Sequence, residues 1–273
     1  MAWLTHILEG RYILGVGAGA YPSDAALRGI TDVQAVNHPM MEEALEIMQM
    51  VWKCEPFHYE GKFWKAGYPE AEAGHEWRNL APYGGSVRIG MTGLSERSPS
   101  IRYAGERGYI PLSVYAGNPF LHAHWRDYEA AAKANGHPAD RSIHHIVRDV
   151  IVAETDEEAR KLAVDGALGR AWQAYLLPTY KRFGILHGLM HDPSMNPEEI
   201  DLKYLAEHVW IVGSVETVTE KFQQWQQDTG GFGTIMMYSH DYGDDPEPFE
   251  ESMRLLAQEV APKVQMPASA TTA

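Results

Sequence analysis

The chain has 273 residues, 45% hydrophobic and 22% charged, with a formal net charge of −14 at pH 7. Such a length suits one large α/β domain, and the acidic balance excludes a nucleic-acid partner, whose phosphates would be repelled. The single cysteine, Cys54, excludes an intramolecular disulfide and a cysteine-only metal site.

The N-terminal run MAWLTHILEGR lacks the basic start and apolar stretch of a secretory signal. No stretch approaches the roughly 20 apolar residues of a membrane span, so a cytoplasmic setting is expected. Arg11–Val16 is a β-rich apolar run stopping at Gly-Ala-Gly, read as a buried strand. From Pro39, Met41, Ala44, Leu45, Met48 and Val51 recur at helical spacing, with Glu42 and Glu43 on a solvated face. Residues 55–83, rich in Pro, Gly and aromatics, read as a long irregular excursion without a hairpin.

Val87–Met91 is the second expected strand, followed by a helix opening near Ser98. Tyr109–Val114 is the third, followed by a helix over 119–135, and His144–Val152 is the fourth. Thr155 and Glu158 form a capping box for the next helix. Another helical segment follows Asn196-Pro197, and Ser214 caps a helix reaching Trp225. Gly233–Tyr238 is the fifth strand, and a last helix runs from Pro246 to about Ala261. The domain is expected to span residues 1–264, and the small polar tail 265–273 is expected to be disordered. Five βα repeats mean a parallel sheet with helices outside it. An open doubly wound sheet and a (β/α)8 barrel both fit, and in both the ligands collect at the C-terminal strand ends.

Three motifs sit at such ends. Gly15-Val16-Gly17-Ala18-Gly19 lets backbone approach a ligand closely, yet no helix opens inside it, which excludes a dinucleotide fingerprint. Thr92-Gly93 leads to Ser98-Pro99-Ser100, where Ser98 suits N-cap and Pro99 suits N1. That helix start is either a plain cap or a phosphate site. Ser239-His240-Asp241 places a histidine and a carboxylate at the rim, for proton transfer or as a polar loop start. His144 and His145 point to opposite faces of a strand, and His187 and His191 lack an HExxH signature, so no metal site is expected. Trp172, Tyr175, Tyr180 and Phe183 pack in a core or line an apolar pocket.

The run from His6 to Gly19 resembles the fourth-strand signature of the bacterial luciferase-like monooxygenases. Met41–Ile47, Tyr59–Trp64, Ser98–Gly105 and Val212–Val218 follow the same family in order. The resemblance implies an α/β fold, the luciferase-like (β/α)8 TIM barrel, present here from about strand four onward, with about three βα units expected before it. It further implies a flavoprotein monooxygenase, with reduced FMN supplied by an NAD(P)H-dependent flavin reductase. O2 would add at flavin C4a, and the resulting hydroperoxide would oxidise a small apolar substrate. An F420-dependent hydride-transfer enzyme and a non-catalytic flavin-binding relative are the alternatives, and a homodimer is expected.

By the same resemblance, Gly17, Ala18 and Gly19 lie beside the flavin. Met91, Thr92 and Gly93 line its ring and ribityl chain, and Ser98 and Ser100 sit near the phosphate. Ala18 departs from bacterial luciferase, which has a phosphate-reaching arginine there, and His38 could replace a second basic residue only in part. His240 and Asp241, the expected catalytic pair, resemble the strand-eight end of the limonene- and alkanal-monooxygenase branch.

Overall fold

The computed structural model describes residues 1–264 except 20, 71–78, 116 and 193; the tail 265–273 lies outside the described residues. The chain forms two compact units, residues 1–92 and 93–273.

In the first unit, α1 (Ala2–Ile7) precedes β1 (Ile13–Val16), α2 (Pro22–Ala26) and α3 (Val33–Trp52). The antiparallel β2 (Phe57–Glu60) and β3 (Lys65–Tyr68) follow, then β4 (Arg88–Gly93). β1 pairs in parallel with β4, Ile13 opposite Arg88 and Val16 opposite Met91. Pro39, expected to open the helix, lies inside it. A proline has helical φ and removes one hydrogen bond, so a preceding turn survives where other contacts hold it. One such contact is Asn37 Nδ2, which donates to the Gly19 carbonyl at 3.1 Å.

The hairpin is the second departure from expectation. Its loop carries no strong turn dipeptide; the turn is closed by Glu43, whose carboxylate accepts from the amides of Lys62 (3.1 Å), Phe63 (3.1 Å) and Trp64 (2.7 Å). Glycine at position 61 leaves room for this clamp, since a Cβ there would push the Glu43 carboxylate aside. Glu43 is therefore a clamp on the hairpin, and the solvated face assigned to it is corrected. Glu43→Ala is expected to lower stability by about 2 kcal/mol, because charge-assisted bonds to amides are lost together. Thermal melts and faster amide exchange at residues 62–64 would check this.

The second unit contains α4 (Pro99–Arg107), β5 (Ile110–Val114), α5 (Asn118–Ala134), β6 (His145–Arg148) and β7 (Val150–Ala153). Next come α6 (Asp156–Asp165), α7 (Ala167–Ala171), a π-helical turn at 172–176, α8 (Leu177–Phe183) and α9 (Leu202–His208). β8 (Ile211–Ser214), α10 (Val215–Thr229), β9 (Thr234–Met237) and α11 (Glu247–Leu255) complete it. β5, β6 and β9 are parallel neighbours, and β7 pairs in parallel with β8. One apolar cluster joins Ile146, Val150, Ile211, Phe222 and Trp225; another joins Ile151, Trp172, Leu205 and Val212. The expected caps form: Thr155 Oγ1 accepts from the Glu158 amide at 3.2 Å, and Ser214 Oγ from Thr217 at 3.3 Å.

Two expectations fail in this unit. β8 was not anticipated, because a four-residue run merges in sequence with the helix that Ser214 caps. The single strand expected over 144–152 is two strands divided at Asp149. Up to Arg148, which stands opposite Met237, the chain pairs with β9; from Val150, opposite Ile211, it pairs with β8. The Asp149 carbonyl accepts from the Ile211 amide at 3.0 Å, and the Arg148 carbonyl from the Tyr238 amide at 3.3 Å. Asp149 is the pivot at which the chain changes neighbours. Among the described residues, no helix is long and apolar enough to cross a membrane.

Candidate active site

The parallel order brings three C-terminal strand ends of the second unit together. Tyr115 follows β5, Asp149 follows β6, and Tyr238 and His240 follow β9. This is the rim where side chains of parallel α/β sheets meet ligands. His240 Nε2 lies 2.8 Å from Asp149 Oδ1, with side-chain exposures of 8% and 1%. The other carboxylate oxygen, Oδ2, accepts from Trp172 Nε1 at 2.7 Å. A carboxylate accepting two N–H donors fixes the proton of His240 on Nε2 and leaves Nδ1 open.

Aromatic rings enclose this pair. Tyr238 stacks on His240 at 5.7 Å between ring centroids, and Tyr242 meets it edge-on at 6.4 Å. Tyr115 lies 5.3 Å from both Trp172 and Tyr238. Its φ of +46° places a bulky residue in the left-handed region, a strain of order 1–2 kcal/mol that concentrates at functional sites. Its hydroxyl is buried without a partner among the described residues, and burial pushes its pKa far up, so it stays a neutral donor. Tyr180, whose hydroxyl donates to the Tyr115 carbonyl at 3.2 Å, helps to hold the strained turn.

The sequence pointed to His240 and missed its partner. Asp241 is exposed, and its carboxylate accepts from the Gly243 amide at 3.2 Å, starting a turn. The signal for Asp149 was available: Arg148-Asp149 puts two charges inside an apolar parallel strand, where charges are rare unless paired. Trp172 and Tyr180 are buried around the site, whereas Tyr175 is exposed.

The other expected residues fall into two groups, each within its own unit. In the first, Gly17 follows β1 beside Thr92 of β4: a Cβ on Gly17 would lie 3.7 Å from Thr92 Oγ1. Gly19 has φ +80°, Ala18 is half-buried, Met91 is buried and Thr92 exposed. His38 has a buried Nδ1 without a partner among the described residues. In the second, Ser98 caps α4, its Oγ accepting from the Ile101 amide at 3.4 Å, and Ser100 is buried in the first turn. A Cβ on Gly93 would sit 2.4 Å from Ile101 Cγ1, so glycine there permits close strand–helix approach. His187 packs on Phe120 at 5.2 Å, while His191 Nδ1 lies 2.8 Å from the Tyr204 hydroxyl. Among the described residues, no cluster of three or more His, Cys, Asp or Glu could hold a metal ion.

The family model for luciferase-like monooxygenases matches residues 1–231. A 3,6-diketocamphane 1,6-monooxygenase from Pseudomonas putida is 43% identical, over 98% of this chain and 75% of the relative. A limonene 1,2-monooxygenase from Rhodococcus erythropolis is 26% identical, over 95% of this chain and 62% of the relative. The solved oxygenating constituent of 3,6-diketocamphane monooxygenase from a Pseudomonas putida plasmid, a type II Baeyer–Villiger monooxygenase in complex with FMN, superposes with a TM-score of 0.89. That match has 43% identity and covers 97% of this chain and 74% of that one. The fold is thus that of the luciferase-like barrel enzymes, which resolves the choice between barrel and open sheet that the five repeats left open. The chain belongs to the luciferase-like monooxygenase family.

Proposed function

We propose that the chain is an FMN-dependent monooxygenase that inserts oxygen into a small apolar substrate. The observation that carries this is the 43% identity, across nearly the whole chain, to an enzyme solved with FMN. Reduced FMN, delivered by a separate NAD(P)H-dependent reductase, would supply the electrons and the oxygen-activating ring carbon C4a. Gly17, Ala18, Gly19, Met91 and Thr92 in the first unit, and Gly93, Ser98 and Ser100 in the second, are the candidate flavin contacts. The chemistry of this set fits a flavin without strong charge pairing. The Ser98 Oγ accepts from the Ile101 amide and keeps its own O–H for a phosphate oxygen, and Gly17 and Gly19 leave backbone uncovered. Residues 1–264 are proposed to act as one such domain, and a homodimer is proposed as its assembly.

In this reading His240 is the polar group at the reacting centre. Its Nδ1, which carries no proton, would accept a hydrogen bond or a proton from an O–H at the reacting centre, while Asp149 and Trp172 keep the ring in place. Tyr115, Tyr238 and Tyr242 would exclude water and present an apolar wall. The nearest test substrate is a compact bicyclic ketone of the diketocamphane kind.

The test feeds the purified chain with reduced FMN from a flavin reductase and NADH. O2 consumption and an oxygen-inserted product at near-equal amounts are expected. Absence of reduced-FMN binding, or preference for F420 over FMN, would overturn the proposal.

A further inference from the structure

Arg148, the residue before the Asp149 pivot, lines a cavity of about 300 Å³ that shares no residue with the His240 cluster. Its guanidinium is buried and lies 4.7 Å from the face of Trp225. Burial draws its pKa down to about 10, which keeps it cationic at neutral pH. Trp210 lines the same cavity at 2% exposure, and its buried Nε1 has no acceptor among the described residues. That nitrogen is closed off from the void, so Trp210 contributes its ring to the wall.

Two further features favour an anion. Gly117 and Asn118 at the start of α5 line the cavity, and no side chain caps this 17-residue helix. Pro119 in its first turn has no N–H, so the Asn118 and Phe120 amides and the positive dipole end are what this helix start offers a ligand. Asn118 Oδ1 accepts from Trp225 Nε1 at 2.8 Å, which leaves the Asn118 amide group to donate elsewhere. Lys221, donating to the Val212 carbonyl at 2.9 Å, adds a second cation. The acidic residues of the lining, Glu207 and Asp228, are both exposed, where solvent screens them. Leu189, Met190, Val209 and Ile211 form the apolar part of the wall, beside the polar His191, His208 and Gln224. The volume, equal to roughly ten waters, is too large for a bare oxyanion.

We propose that this cavity binds a small monocarboxylate with an apolar body, its carboxylate held by Arg148 and the surrounding N–H donors. The site lies apart from the flavin chemistry proposed above, and the test needs no turnover. Octanoate, octanamide and inorganic phosphate are titrated into the intact chain, followed by calorimetry and by the fluorescence of Trp210 and Trp225. Octanoate is expected to saturate below millimolar concentration, with octanamide and phosphate each at least about tenfold weaker, since a charge-assisted bond outweighs a neutral one. Lys221→Met removes the second cation at nearly constant length and should weaken octanoate about fivefold to tenfold. Arg148→Met should abolish saturation. If that variant does not fold, Asn118→Ala serves instead, with a loss similar to that of Lys221→Met. Octanoate that fails to saturate by about 10 mM, octanamide binding equal to octanoate, or Lys221→Met binding like the wild type would overturn the proposal.

Discussion

Asp149→Asn is expected to cut product formation by about 10²–10³-fold while reduced-FMN binding stays within about twofold of wild type. The wild-type carboxylate accepts from both His240 Nε2 and Trp172 Nε1. An asparagine has one accepting oxygen and one donating nitrogen, so it can satisfy Trp172 only by offering its amide N–H to His240. The imidazole must then accept at Nε2 and carry its proton on Nδ1, the reverse of the arrangement proposed to face the substrate. His240→Ala should lose as much by removing the ring. A purely structural role would instead lower thermal stability and leave the fate of O2 unchanged. The distinguishing measurement is the ratio of hydrogen peroxide to oxygenated product, which should rise in both variants. Asp149→Asn with wild-type rate and coupling would eliminate the proposed role of the pair.

Why Asp149 was hidden in the sequence while His240 was visible follows from how each is placed. His240 stands just beyond a short apolar strand and before a turn, so its rim position is local information. Asp149 lies in the middle of HHIVRDVIV, which reads as one continuous buried strand; only the exchange of neighbours from β9 to β8 shows that a strand ends there. Non-local pairing cannot be seen in a periodicity of two. Glu43 hides for a similar reason, since the loop it clamps lies about twenty residues downstream and has no turn signal of its own. Local devices were legible: Thr155, Ser98 and Ser214 cap the helices their spacing indicates, because a cap involves residues only two or three apart. Helix α3 extends before Pro39 through a side-chain contact to the Gly19 carbonyl, which again only the fold supplies.

Stability should fall by about 2–3 kcal/mol between pH 6.5 and pH 4.5, with the largest share from a histidine outside the candidate active site. His144 is 1% exposed, and its Nε2 lies 2.8 Å from Ser113 Oγ, which is also 2.9 Å from His124 Nδ1; His124 Nε2 in turn lies 2.8 Å from the Ser95 carbonyl. Since only an N–H can face that carbonyl, His124 accepts the serine proton at Nδ1, and Ser113 accepts from His144 Nε2–H. Both rings are neutral in this chain of bonds. Burial is the first cause that lowers His144 to about 3, with His124, Arg141 and His145 adding to it, and burial likewise lowers His124. A histidine whose folded pKa lies below its unfolded value of about 6.5 binds more protons when unfolded across the interval between them. Its stabilisation is therefore complete above pH 6.5 and drains away as the pH falls toward 3. Asp156 and Glu251 are held low by hydrogen bonds, so their losses come mainly below pH 4.5 and leave the upper window to the histidines. Urea melts at half-unit steps from pH 7 to 4.5 would measure the slope. His144→Phe, which can keep a ring against Trp125 at the present 5.5 Å spacing, should be less stable at pH 7 but flatter with pH. A wild-type slope near zero, or an unchanged slope in His144→Phe, would show that this buried relay does not set the acid sensitivity.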